Sequence, residues 1–259
     1  MKLKSLFTAA VTAGLLVLSA PASATLTNWF IDTDGPGANN PKVLVLDYLD
    51  LVGQAYVHNT FTSATTFTFN EAGRFNTTSA DFSTTLSPGL SSTFLGTGSG
   101  TVGGNLVFNP GGTLSVFSGA TNIANFSLIT GSANLKAGGV LPNGVIDLIF
   151  KATSMTAGYF FDSAMSDLSL VANSPKGLLF GFATTNAIPL AGQVSAGLIS
   201  DYNAAYNPDV VGPITPDQIR DVYISNNGQF RLQVPEPSML SLLGLALLGM
   251  GVVSRRRKS

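Results

Sequence analysis

The run from Ser238 to Val253 holds no charged residue, is crowded by Leu240, Leu242, Leu243, Leu245, Leu247 and Leu248, and stops at Arg255, Arg256, Arg257 and Lys258. As a helix rising about 1.5 Å per residue it spans roughly 24 Å, a little short of a hydrocarbon core about 30 Å thick. Snorkelling arginines or local thinning of the bilayer close that gap. Gly244, Gly249 and Gly251 weaken a helix in water but are tolerated in lipid, and the basic cluster is expected on the cytoplasmic side. A buried core helix is the alternative, but such a helix rarely ends in consecutive basic residues at a chain terminus. The segment therefore stands apart from whatever fold precedes it.

The other end has a matching character. Lys2 and Lys4 precede an apolar stretch from Leu6 to Leu18, and Pro21-Ala22-Ser23-Ala24 follows. A basic start, a short apolar region and small residues at Ala22 and Ala24 read as a signal peptide over residues 1–24, cleaved by signal peptidase before Thr25. A permanent anchor is the competing reading, and the short apolar region with its Ala-Ser-Ala site argues against it. With both basic ends in the cytoplasm, the middle of the chain lies outside.

Between Thr25 and Pro237 there are 7 Lys or Arg and 14 Asp or Glu residues, a balance of −7 where the whole chain carries −1. Nucleic-acid binding needs a basic face, so that partner class is disfavoured. The absence of cysteine excludes disulfides, thiol catalysis, Cys-ligated zinc and iron–sulfur clusters. About 210 residues bury enough apolar surface to fold without such staples.

The middle reads as β structure. Thr66-Phe67-Thr68-Phe69-Asn70 and Thr113-Leu114-Ser115-Val116-Phe117 alternate with period two, and Asn125-Phe126-Ser127-Leu128-Ile129 nearly does. Lys42 to Tyr48 and Val145 to Phe150 are more continuously apolar, as in central strands covered on both faces. Asn105 to Phe108 is a strand ended by the turn Asn109-Pro110-Gly111-Gly112. Val222 to Ser225 and Gln229 to Val234 flank Asn226-Asn227-Gly228, a hairpin signal. Short helices are expected over Thr215 to Arg220, with Pro216 at its first position, and over Leu190 to Tyr202. Tyr159-Phe160-Phe161 is an aromatic cluster of unassigned structure. The fold class is all-β: one β-sandwich-like exported domain over residues 25–233, with one or two short helices.

Residues with chemical potential are few. His58, the single histidine, cannot build a multi-His metal site. Gly98-Ser99-Gly100-Thr101-Val102-Gly103 matches a dinucleotide-loop pattern by letters, but a strand rather than a helix follows, so it reads as a flexible turn. Asn76-Thr77-Thr78 and Asn125-Phe126-Ser127 match glycosylation sequons by chance. Asp32 and Asp34 precede Gly35 as the start of a calcium loop would, without the closing Glu of an EF-hand; a plain polar loop is the other reading. Asp47 and Asp50 are a carboxylate pair of the kind glycosidases use, yet proximity in sequence does not set their spacing across a substrate. No enzyme and no obligatory cofactor is expected.

Val234-Pro235-Glu236-Pro237-Ser238, the apolar run and the Arg cluster together resemble the sorting tail of PEP-CTERM proteins. This covers residues 234–259 and leaves residues 25–233 without a family fold. The resemblance implies Gram-negative export, transient anchoring in the inner membrane, and processing by an exosortase that recognises Pro235, Glu236 and Pro237. It further implies release to the surface or matrix, often alongside exopolysaccharide. Phe69-Asn70-Glu71-Ala72-Gly73-Arg74-Phe75, in its Thr/Phe/Gly-rich setting, is similar to flocculation-associated members. The expected role is a structural or adhesive matrix protein in biofilms or flocs; the alternative is a discrete carbohydrate- or calcium-binding module.

Overall fold

The structure, a computed structural model, describes residues 23–37, 41–135, 144–175, 177–206, 213–215 and 219–235. In chain order the strands are β1 (Ser23–Thr25), β2 (Trp29–Ile31), β3 (Val43–Val45), β4 (Leu49–Phe61), β5 (Thr66–Ala80), β6 (Thr84–Thr101), β7 (Leu106–Phe108), β8 (Thr113–Ser118), β9 (Thr121–Leu135), β10 (Gly144–Met155), β11 (Phe160–Phe161), β12 (Leu179–Pro189) and β13 (Asp221–Pro235). Two helices, α1 (Ser169–Ala172) and α2 (Ala196–Tyr206), interrupt them. The compact unit spans Thr25–Val234.

Period-two alternation sends one set of side chains from each strand inward and the other outward. On β5, Phe67, Phe69, Glu71, Phe75 and Thr77 are buried, while Thr68, Arg74, Asn76 and Thr78 are exposed. β4, β5 and β6 pair antiparallel in sequence order, β9 pairs with β10, β10 with β12 and β12 with β13. β7 and β8 lie in tandem between β6 and β9. The ladder then closes, because Asp221–Phe230 of β13 pairs with His58–Leu49 of β4. The expected sandwich-like layering is thus realised as opposite walls of one closed antiparallel barrel, which leaves no open edge along the paired segments. Leu26 N–H donates to Leu232 O at 2.8 Å, so the start of the compact unit lies beside its last strand.

Aromatic rings fill the interior. Phe180 meets Phe126, Phe150 and Phe230 at centroid distances of 4.9, 5.8 and 3.7 Å. Phe94 continues the series to Phe150 and Phe108, and Phe69 meets Phe108 at 5.0 Å. With β7 and β8 forming one stave, the closed ladder has eight staves, just wide enough to be filled by side chains, and large rings fit only where opposing positions are small. A Cβ on Gly98 would sit 2.3 Å from both the Phe69 ring and Val107 O. The second sheet, β11-β2-β3, brings Trp29, Ile31, Val45 and Phe160 into the same core and covers one end of the barrel. There Trp29 and Phe160 border Phe126, Phe180 and Phe230.

Several sequence expectations change. Lys42–Tyr48 is not a central strand: only Val43–Val45 is extended, with Leu44 and Leu46 exposed. Val145–Phe150 lies in β10 but is covered on one face, with Val145 and Ile149 outward at 40% and 37% exposure. Asn226-Asn227-Gly228 makes no hairpin. Asn-Gly permits a reversal without compelling one, and here Asn226 pairs with Gly53 on one side and Ala187 on the other, within one strand. Asn109-Pro110-Gly111-Gly112 does turn the chain, but it separates β7 from β8 along one stave; Gly111 N–H and Gly112 O bond Leu128 across the break. Gly98–Thr101 belongs to β6 rather than to a turn. The helix read over Leu190–Tyr202 begins only at Ala196, because Leu190 N–H bonds Tyr223 O and Gly192 bridges Ile214. Half of the short helix expected at Thr215–Arg220, residues 216–218, lies outside the described residues, and Thr215, Ile219 and Arg220 are not helical.

Candidate functional site

Three outer regions of the barrel carry side chains with binding potential. The first is the outward face of β5, β6, β8 and β9. Cross-strand register places Thr66 beside Thr101, Thr68 beside Ser99 and Asn76 beside Ser91. A further row runs Thr93, Ser115 and Asn125, and Thr113 stands beside Ser127. Ser115 Oγ donates to Asn125 Oδ1 at 2.8 Å, and Asn125 Nδ2 reaches Asn122 and Ser154. This surface is rich in hydroxyl and amide groups spaced by the strand repeat of about 4.8 Å, and its row at Thr93 begins at Arg74, whose charge is paired to Asp201.

Helix α2 interrupts the outer surface over β4 and β5. Leu198 and Tyr202 cover Tyr56, Ala72 and Tyr223, with the Tyr56 and Tyr202 rings edge-on at 4.8 Å. Arg74 grips Asp201 through two bonds of 2.5 and 2.8 Å. Beside it, His58 Nδ1 and Tyr56 Oη both meet Asp221 Oδ1 at 2.7 Å. Burial, then the bond to Asp221, pushes the Tyr56 phenol up. His58 is thus tied into the β4–β13 seam.

The second region surrounds the β5–β6 turn. Asp81 and Phe82 have φ of 50° and 59°. The Asp81 carboxylate accepts from the N–H groups of Leu46, Asp47 and Tyr48 at 2.6, 2.9 and 3.1 Å. Asp50 Oδ2 accepts from Phe82 N–H at 2.9 Å and from Ser79 Oγ at 3.0 Å. Asp47 pairs with Arg231 at 3.1 Å, and Arg231 lies 5.6 Å from the Tyr48 ring. Burial and the Asp50, Asp81 and Asp47 carboxylates push the Tyr48 phenol up. The Asp47–Asp50 pair read from sequence therefore joins a structural network of the turn. Asp81 and Phe82 escaped the sequence reading; the signal was the interruption at Asp81-Phe82-Ser83 between two strand-like runs.

The third region is the loop after β2. Asp32 is nearly buried, accepts from Gly35 N–H at 3.0 Å, and has Lys42 Nζ at 3.9 Å. Burial and the adjacent Asp34 raise its carboxyl pKa, opposed by Gly35 and Lys42. The structure thus brings Asp32 and Asp34 together, with an ammonium already beside them. Among the described residues no group of three or more His, Cys, Asp or Glu is placed to hold a metal.

Inside the barrel, Glu71 borders two small cavities of about 30 and 10 Å³, shared with Asn59 on one side and Asn226 on the other. Desolvation pushes its carboxyl up to about 8, so it is neutral at pH 7. The larger cavity is of water size.

At the end of the chain, Pro235 is the last residue of β13, and Ala24 lies in β1. Ala22, Glu236, Pro237, the apolar run and Arg255, Arg256, Arg257 and Lys258 lie outside the described residues. Among the described residues no helix is long and apolar enough to cross a membrane. The family model of the PEP-CTERM protein-sorting motif matches residues 233–258. The chain carries a PEP-CTERM sorting tail. The match takes in Pro235, Glu236, Pro237, the apolar run and the Arg cluster together. A PEP-CTERM tail implies export through the membrane to the cell surface, with an exosortase as processing partner. Neither a curated protein nor a solved structure matches the chain.

Proposed function

We propose that the exported barrel is a structural or adhesive component of a Gram-negative extracellular matrix, holding exopolysaccharide in biofilms or flocs. Signal peptidase removes residues 1–24, the exosortase acts near Pro235, Glu236 and Pro237, and the tail anchors the protein in the inner membrane until then. The observation that carries this reading is the Ser, Thr and Asn face of β5, β6, β8 and β9. Hydroxyls and amides in cross-strand rows exchange hydrogen bonds with hydrated glycans without desolvating a charge. The role is non-enzymatic: Asp47, Asp50, His58 and Asp221 are each held by structural partners. Deleting the gene weakens aggregation while leaving polysaccharide synthesis unchanged; unaltered flocculation in the deletion strain would refute the proposal.

The contact between Asp32 and Asp34 favours a second reading, a calcium-binding module. It predicts a saturable calcium isotherm that Asp32→Ala abolishes; a wild-type protein with no calcium isotherm would remove it.

A further inference from the structure

The outside of the barrel has a second kind of surface beside the β5–β6 turn. A cleft of about 310 Å³ runs across four neighbouring strands, from Phe82 and Ser79 over Asp50 and Val52 to Asn227 and Gln229. Register fixes its floor: Ser79 pairs with Asp50, Asp50 with Gln229 and Gln229 with Ala183, while Val52 pairs with Asn227 in the next row. Three strand spacings make this floor about 14 Å long, room for a segment of an oligosaccharide rather than one small molecule.

Phe82 makes the cleft unlike the rest of the wall. Its side chain is 78% exposed. Its left-handed backbone is rarely populated by a bulky residue. Such strain persists only where the surroundings over-determine it, and it concentrates at binding sites. The surroundings here are specific: Asp50 holds the Phe82 N–H, Asp81 holds three successive N–H groups of the facing loop, and the Tyr48 ring meets Phe82 edge-on at 5.3 Å. Arg231 Nη2 donates to Gln229 Oε1 at 3.1 Å, which orients that amide on the cleft floor. An aromatic ring is therefore presented to solvent on a rigid mount, beside an amide-lined trough.

We propose that this cleft is a saccharide subsite, in which a neutral sugar ring stacks its C–H face on Phe82 while its hydroxyls bond Asn227, Gln229 and Asp50. The inference rests on the matrix reading above and gives it a defined contact. The ring offers a flat apolar face with a negative quadrupole, suited to the weakly positive C–H bonds of a pyranose. The amides supply donors and acceptors at its edge. Asp47, Asp50 and Asp81, offset locally by Arg231, set a negative field that disfavours uronate-rich glycans.

The test is affinity electrophoresis of the full-length protein in mild detergent, in gels containing exopolysaccharide from the producing strain or, separately, polygalacturonate. Phe82→Gly removes the ring while glycine accepts the left-handed backbone freely, so the turn survives. Phe82→Tyr keeps the stacking surface. Exopolysaccharide is expected to retard wild type and Phe82→Tyr alike, with the apparent Kd at least tenfold weaker for Phe82→Gly and several-fold weaker for Asn227→Ala. Polygalacturonate is expected to retard none of them. Equal retardation of wild type, Phe82→Gly and Asn227→Ala overturns the cleft and leaves the matrix reading standing. Stronger retardation by polygalacturonate overturns the neutral-sugar assignment. A wild-type protein that exopolysaccharide does not retard overturns the matrix reading and the cleft together.

Discussion

The inner and outer faces of β5 share one backbone and follow opposite rules. Phe67, Phe69 and Phe75 point inward among other rings, whereas Thr66, Thr68 and Asn76 point outward beside Thr101, Ser99 and Ser91. Volume governs the inner face, where each ring is fitted to its neighbours and a single methyl is felt. Hydrogen-bonding capacity governs the outer face, where size matters little. If the outer face holds polysaccharide as proposed, stability and function are separable in this barrel: substitutions inside are expected to change folding, and substitutions outside to change what the protein holds.

The separation can be broken most forcefully at Phe180, which touches three other rings. Phe180→Ala is expected to lower unfolding stability by about 4 kcal/mol in denaturant titration; a loss below 1 kcal/mol would mean that the interior is not the packed core described. Glu71 sharpens the comparison, because it has the parity of the phenylalanines and the chemistry of the outer face. Its folded pKa of about 8 exceeds the ordinary 4.5. The unfolded chain thus gives up the proton first, and the stability from neutral Glu71 is complete below about 4.5 and lost as pH rises to about 8. Wild type is expected to lose about 2 kcal/mol between pH 5 and 7 from this group alone. Glu71→Gln removes that slope, and parallel pH–stability curves for the two proteins would contradict the burial of the carboxyl.

At Gly98 the expected loss is about 2 kcal/mol for Gly98→Ala, since the new methyl meets both a ring and a backbone oxygen. Arg74→Ala loosens α2 by less than about 1 kcal/mol, because the ion pair is half exposed; faster amide exchange confined to Ala196–Tyr206 would show it. The smallest stability effect belongs to the outer face. The double change Thr68→Ala and Ser99→Ala shifts stability by no more than about 0.5 kcal/mol while weakening polysaccharide retention. A large stability loss there would show that the two faces are not separable.

The strands were legible wherever one face is apolar and the other polar, as at Thr66–Asn70 and Thr113–Phe117. Barrel closure was not, because it joins Asp221 to His58, a pairing that local pattern does not encode. The Asn226-Asn227-Gly228 error has the same origin: a local turn signal lost to two continuous ladders. Burial of Glu71 was readable from parity, since it falls in step with Phe67, Phe69 and Phe75. The sorting tail was legible as a motif, because length, hydropathy and charge define it without a fold. The Phe82 cleft was not, because it is assembled from β4, β5, β12 and β13 and depends on a positive φ that an exposed phenylalanine does not announce.

The central claim is that this chain is exported and then released by cleavage at its tail. Intact mass of the protein, recovered from cells and medium with and without the exosortase, tests it directly. The account predicts a species outside the cell that begins at Thr25 and ends between Pro235 and Ser238, present only with the exosortase. A full-length C-terminus held in the membrane in both strains would contradict it.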